Sequence, residues 1–259
     1  MINSPRRIDA RRDMILQQLY AGGVVSVVDL AAALDVTPAT IRTDLTALEQ
    51  MGKLLRVQGG AVLPAGAVGV RRDTPERVRN LAEKTAIAQT VRDLISDGET
   101  LFINSGTTTR CVAQALEGKK NLNVVTNSLE VATILGVNPS TRVVLLGGEI
   151  NAQYGFTYGG DAQEQLGRYQ ADWVILSCEG VSEKSGITTF HVEEAVVDRM
   201  MIAGAKRVLL AADHSKIGHV GFAQVCQYDR KFTLVTNART EEQAVQDLTR
   251  SGLNIISTK

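Results

Sequence analysis

Five short turns in this chain concentrate the residue types that hold small, anionic, hydroxylated molecules. They are Asn104-Ser105-Gly106-Thr107-Thr108-Thr109, Thr126-Asn127-Ser128, Gly147-Gly148-Glu149, Cys178-Glu179-Gly180 and Asp213-His214-Ser215-Lys216. The first is rich in hydroxyls, contains glycine and leads straight into a helical pattern. Such a turn offers free N–H groups and the positive end of the helix dipole to an anion. It has neither the lysine of a Walker P-loop nor a GxGxxG fingerprint, so a nucleotide is not the expected ligand. Glycines let backbone approach a ligand closely, and the carboxylates and amides of the other turns suit hydroxyls. The expected ligand is a sugar phosphate or phosphorylated polyol. It would be held by Asn104, Ser105, Gly106, Thr107, Thr108, Asn127, Ser128, Gly147, Gly148, Glu179, Gly180, Glu194, Asp213 and Lys216. In a catalytic reading Glu179, Glu194 and Asp213 would be general bases and Lys216 an electrophile for aldose–ketose proton transfer. His191, His214 and His219 lack a metal-ligand spacing on one helix face and read as surface or loop residues. Neither a metal nor a cofactor is expected.

What must position these turns is a strand–turn–helix alternation from Thr100 onward. The β-rich runs are Leu101–Ile103, Val124–Thr126, Val143–Leu146, Trp173–Leu176, Val208–Leu210, Phe232–Val235 and Ile255–Ile256. They are short, aliphatic and nearly continuous, as strands buried on both faces should be. Amphipathic stretches at Thr85–Ser96, Thr107–Glu117, Ser128–Gly136, Ala162–Tyr169, Val192–Ala205 and Glu241–Ser251 predict the covering helices. The fold class is α/β, a sandwich with a mostly parallel sheet. The five polar turns then fall at the carboxyl ends of strands, where ligands of such sheets bind.

Before residue 65 the pattern is different. Ile8, Ile15, Leu16 and Leu19 make a helical stripe, and Val27–Leu34 a second helix entered after Ser26. Thr37 is a natural N-cap and Pro38 a natural first residue for a third helix that stops at Gly52. Lys53–Leu63 reads as a hairpin around Gly59-Gly60. This is the outline of a winged helix-turn-helix, whose partner is double-stranded DNA. In that arrangement Thr37, Ala39, Thr40, Arg42 and Thr43 face base edges and phosphates in the major groove, and Lys53, Arg56 and Gln58 line the wing. Arg6, Arg7, Arg11 and Arg12 would add phosphate contacts. The expected domains are residues 1–63 for DNA, a linker at 64–74 and residues 75–259 for the effector.

Composition bounds these readings. The 259 residues carry 28 Lys plus Arg against 28 Asp plus Glu, with 44% hydrophobic residues, ordinary for a globular chain. Up to Arg72 there are nine basic residues against six acidic, a slight excess that suits a DNA-binding part. No apolar run approaches a membrane span, and the arginine-rich N-terminus has no signal-peptide core. Three scattered cysteines predict reduced thiols in a cytoplasmic protein. Aromatic residues at 4% speak against a base-stacking, single-strand binder.

The same residues resemble the DeoR/GlpR-type family of bacterial repressors of sugar catabolism. The resemblance lies in Val25-Ser26-Val27-Val28-Asp29-Leu30, Thr40-Ile41-Arg42-Thr43-Asp44-Leu45, Leu48-Glu49 and Gly59-Gly60-Ala61. It continues in Glu83-Lys84, Asp97-Gly98-Glu99-Thr100, Ser105-Gly106-Thr107-Thr108, Val125-Thr126-Asn127-Ser128, Leu146-Gly147-Gly148, Glu193-Glu194-Ala195 and Asp213-His214-Ser215-Lys216. It implies an effector domain resembling ribose-5-phosphate isomerase, in a homodimeric or homotetrameric repressor whose operator affinity changes when a phosphorylated sugar binds. The chain departs from the family at Thr43 and Gln58, where Arg and His are usual. It departs again at Asn104 and Glu179, where Asp is usual, and at Asp198, where Lys is frequent. It has no equivalent of the lysine in the isomerases' glycine-rich loop, which favours binding over turnover. The rival reading is a sugar-phosphate isomerase fused to a DNA-binding head.

Overall fold

The computed structural model describes residues 8, 11–12, 14–16, 18–19, 24–57, 59–62, 79–239 and 242–258. Gln58, Arg6, Arg7 and the predicted linker at 64–74 lie outside the described residues. The chain divides into two compact units, Met1–Val78 and Arg79–Lys259.

In the first unit the described residues from Ile8 to Leu19 are helical, and Ile15 and Leu19 are fully buried. Strand β1 (Val24–Ser26) follows, then helix α1 (Val27–Ala33), whose N-terminus is capped by the Ser26 hydroxyl accepting from Val28 and Asp29 N–H. Helix α2 (Pro38–Gln50) starts as its sequence demands: Thr37 Oγ1 accepts from Thr40 N–H at 3.2 Å and proline occupies the first turn. Strands β2 (Leu55–Val57) and β3 (Gly60–Val62) form the hairpin, and β1 pairs antiparallel with β3 to give the order β1-β3-β2. This third strand is additional to the sequence reading, which took Val24–Ser26 only as the approach to α1. Ile15, Leu19, Leu30, Ile41, Leu45, Leu48 and Leu54 meet in one core.

Gly60 lies at the crossing of β3 with both neighbours, paired to Ser26 and Val57. A Cβ there would run into the Val25 carbonyl oxygen. Backbone cannot step aside inside a ladder, so Gly60→Ala is expected to cost this unit about 1–3 kcal/mol. Trp173 is the only tryptophan and belongs to the second unit. In a thermal melt, far-UV circular dichroism should therefore lose its early signal sooner while Trp173 fluorescence keeps its midpoint.

The second unit is built on strands β4 (Thr100–Ile103), β5 (Asn123–Thr126), β6 (Arg142–Leu145), β9 (Ala171–Leu176), β12 (Ala205–Ala211), β14 (Phe232–Thr236) and β15 (Asn254–Ser257). They form a seven-stranded sheet in the order β15-β14-β12-β9-β4-β5-β6, every pairing parallel. Side chains alternate between two cores. Phe102, Val125, Val174, Leu176, Val208, Leu210 and Leu234 point to one, and Leu101, Ile103, Val124, Trp173, Ile175, Leu209 and Val235 to the other. That is the period of two along strands covered on both faces. Helices α3 (Leu81–Leu94), α4 (Thr107–Leu116) and α5 (Leu129–Gly136) cover the second core, and α6 (Gly160–Leu166), α7 (Val192–Ala203) and α8 (Gln243–Arg250) the first. Helix α3 begins four residues before the predicted Thr85, and its buried face runs from Lys84 through Ile87, Ala88 and Val91.

Two antiparallel pieces join this frame: the hairpin β7 (Glu149–Asn151) with β8 (Phe156–Tyr158), and a sheet of β10 (Gly180–Ser182), β11 (Gly186–Thr189) and β13 (Ala223–Cys226). From β4 the chain steps outward to β5 and β6, then returns to place β9 on the other side of β4. The strand order therefore reverses between β4 and β9, and the crevice at such a reversal is where open parallel sheets bind ligands.

Candidate functional site

In the first unit Thr37, Ala39, Arg42 and Thr43 are exposed at the start of α2, and Thr40 is half-buried. Positions 39, 42 and 43 share a face by helical spacing. Thr43 donates back to the Ala39 carbonyl at 3.1 Å. Arg56 donates its N–H to Glu49 Oε1 at 2.9 Å and its Nη1–H to Thr46 Oγ1 at 3.0 Å, so this wing residue is tied to α2. Lys53 is half-buried. Arg11 and Arg12 differ from expectation. They pair with the buried Asp44 at 2.5 and 3.1 Å, fastening the first helical residues to α2 instead of reaching outward for phosphate. A carboxylate inside an apolar core demands such partners.

In the second unit the turn after β4 lies beside the loop after β9. Asn104 is fully engaged by its own protein. Its amide donates to the Ser177 carbonyl at 3.1 Å and to both Asp198 oxygens at 3.2 Å, and its Oδ1 accepts from Ser177 N–H at 2.9 Å. Ser105 Oγ donates to Glu194 at 2.6 Å, and Thr189 donates to the same carboxylate. Gly106 has φ +153° and packs so closely on Ser177 that a Cβ would strike its hydroxyl. No side chain caps the helix that begins at Thr107, although Thr108 and Thr109 are buried. Asn104, Ser105 and Glu194 thus hold the turn, and Gly106, Thr107 and Thr108 present its unclosed N–H groups.

The other ends are arranged around it. Asn127 is buried and donates to the Thr157 carbonyl at 3.2 Å, while Ser128 caps α5 by accepting from Val131 N–H. Gly147 N–H donates to Gln165 at 2.9 Å, and Gly148 (φ +127°) lies against the Tyr158 carbonyl with no room for a side chain. Glu179 accepts from Lys216 Nζ at 2.9 Å, and Gly180 packs against the His219 carbonyl. Asp213 accepts from Ser215 Oγ at 2.6 Å, Asn80 Nδ2 at 2.9 Å and Ser215 N–H at 3.0 Å.

Electrostatics separate these carboxylates. Burial pushes Asp213 up, but the donations from Ser215 and Asn80 outweigh it and leave its carboxyl below the usual range. Burial raises Glu194 despite its two hydroxyl donors, and burial together with the neighbouring Glu194 raises Asp198 well above the usual range. Burial lowers the Lys84 amine against the pull of Asp213, and its Nζ donates to the Arg79 carbonyl at 2.8 Å. Asn80, Lys84, Ser177, Thr189 and Asp198 were not among the expected site residues. The one local signal was Lys84, a charge on the apolar stripe Ile87-Ala88-Val91.

Residues 79–238 match the DeoR C terminal sensor domain, and residues 11–66 match the DeoR-like helix-turn-helix domain. The chain belongs to the DeoR family. Among its relatives, the glycerol-3-phosphate regulon repressor of Escherichia coli is 33% identical over 92% of this chain and 94% of its own length. The transcriptional repressor GlcR of Bacillus subtilis is 32% identical over 95% and 94%. The repressor CsqR of Escherichia coli is 36% identical over 80% and 78%. Among solved structures, ribose 5-phosphate isomerase A of Methanocaldococcus jannaschii covers 53% of this chain and 54% of its own at 17% identity, TM-score 0.37. In this DeoR-family chain the winged helix-turn-helix and the sensor domain are thus the two units described above. Among the described residues no helix is long and apolar enough to cross a membrane.

Proposed function

We propose that this DeoR-family protein is a transcriptional repressor of a carbohydrate-catabolism operon, controlled by a phosphorylated sugar or polyol bound in its sensor domain. The observation that carries the ligand is the uncapped start of α4 at the β4/β9 reversal. There Gly106, Thr107 and Thr108 would take the phosphate, and Asn127, Glu179 and Asp213 would face the hydroxyls. The names of the three relatives given above, each a repressor and one of a glycerol-3-phosphate regulon, support the class of regulator and of metabolism. In the operator complex Arg42 and the threonines of α2 would enter the major groove of double-stranded DNA. A homodimer or homotetramer would set two such helices about 34–36 Å apart. The isomerase reading is disfavoured because Lys216, its candidate electrophile, is paired with Glu179.

The signal would pass through residues 79 and 80, where the chain enters the sensor unit. Asp213 holds Asn80 and Lys84 holds the Arg79 carbonyl, so a ligand that engages Asp213 or Lys84 competes with bonds that fix this segment. Only such a difference between states moves the equilibrium, and about 1–3 kcal/mol of coupling changes operator affinity about 5–150-fold. Replacing Thr107 and Thr108 together by Val should leave operator affinity intact and reduce that ligand-induced change to less than about twofold. Anisotropy titrations of the variant with and without sugar phosphate check it. An undiminished response would remove the phosphate from this turn.

A further inference from the structure

Among the described residues, two buried polar atoms have no hydrogen-bond partner and belong to residues linked to the Gly106 turn: Asn127 Oδ1 and His191 Nε2. Each is linked to the turn by a chain of contacts, and those contacts together close a ring. Ser105 holds Glu194, which stands one helical turn beyond His191 at the start of α7. The His191 ring packs 5.6 Å from the Phe156 ring. Phe156 pairs with Ser128, and its neighbour Thr157 is bonded to Asn127 through backbone and amide. Asn127 follows Thr126, whose hydroxyl donates to the carbonyl of Ile103, just before the turn. His191 is also packed by Tyr154 at 4.4 Å and Phe190 at 5.2 Å between ring centres, so aromatic neighbours hold its ring.

A buried amide oxygen and a buried ring nitrogen left unpaired are destabilising in the free protein, and a ligand group that pairs with them gains the difference. Asn127 Oδ1 can only accept, while the imidazole nitrogen accepts or donates by tautomer. We propose that Asn127 and His191 form a hydroxyl-reading subsite next to the phosphate turn. The effector then carries free hydroxyls at the carbons nearest its phosphate, and a deoxy or alkyl phosphate of the same size is rejected. A hydroxyl can satisfy either atom because it both donates and accepts; a methylene satisfies neither, and sites built this way discriminate strongly. This rests on the sensor reading above and assigns His191 the selective role.

The test is isothermal titration of the full chain with three pairs: glycerol 3-phosphate and propyl phosphate, ribose 5-phosphate and 3-deoxyribose 5-phosphate, glucose 6-phosphate and 4-deoxyglucose 6-phosphate. Wild type should bind the hydroxylated member of at least one pair about tenfold or more tightly than its partner. His191→Phe should reduce that preference to about twofold or less while leaving affinity for the hydroxyl-poor member unchanged, and His191→Gln, which keeps a polar atom near the Nε2 position, should restore most of it. A purely structural role would weaken both members alike, and that result overturns the subsite, as does a preference that survives His191→Phe. Wild type that binds the pairs without preference overturns the subsite alone. Wild type that binds none of the six overturns the sensor reading and the subsite together.

Discussion

Asp44→Ala is expected to destabilise the DNA-binding unit by about 3 kcal/mol and abolish operator binding at 37 °C, with the sensor domain unaffected. Asp44 is 1% exposed inside the three-helix core, and Arg11 and Arg12 both close on it. Removing one member of a buried ion cluster costs about 3–5 kcal/mol, because the remaining charges lose the opposite charge they close on. The lower end applies because the two guanidiniums are 14% and 22% exposed and can turn partly to water. The loss also frees the first helical residues from α2, the element that would present Arg42. Far-UV circular dichroism should show a new early transition, while the Trp173 fluorescence melt stays where it is in wild type. Coincident shifts of both signals would mean that Asp44 acts on more than its own unit.

Asp198→Asn should do the opposite in the sensor domain, stabilising it by about 1–3 kcal/mol at pH 8. Asp198 is fully buried, one helical turn from Glu194, and accepts from the Asn104 amide. Burial and the adjacent Glu194 raise its folded pKa well above the unfolded one. The folded state therefore favours the protonated acid. Its contribution is fully present below the unfolded carboxyl range and is lost as pH rises through the folded pKa. Asparagine cannot ionise and still accepts from Asn104. The gain over wild type should thus be absent near pH 4 and grow toward pH 8, read as the Trp173 melting midpoint against pH. Parallel curves for the two proteins would show that Asp198 is not held in its acid form.

The frame of the sensor domain could be read from residues because its signal is local. Each of the seven aliphatic runs became a strand of the parallel sheet, since a strand covered on both faces must be apolar at every position, as Trp173–Leu176 is. The start of α2 was equally legible, because Thr37 and Pro38 act on their own backbone. The short strands β7, β8, β10, β11 and β13 were not. Gly180–Ser182 and Gly186–Thr189 have no apolar run; they pair with each other, and the fold adds the distant β13 beside β11. Long-range ion pairs were hidden for the same reason: Arg11 and Arg12 look like phosphate ligands until Asp44, more than 30 positions on, is seen beneath them. Among the expected ligand residues, the sequence could not separate those that hold the turn, such as Asn104 and Glu194, from those that offer it, such as Thr107. That division depends on which hydrogen bonds the protein keeps for itself.

The proposed function stands on a phosphorylated sugar in the sensor domain changing operator affinity. Fluorescence anisotropy of the full chain on DNA from upstream of its own gene tests it most directly, first in a salt series and then with sugar phosphates beside their unphosphorylated sugars. The predicted result is specific binding that weakens steeply with salt, and that one phosphorylated sugar shifts about 5–150-fold while its unphosphorylated counterpart does nothing. Specific binding that no phosphate alters, or that the free sugar alters equally, would contradict it.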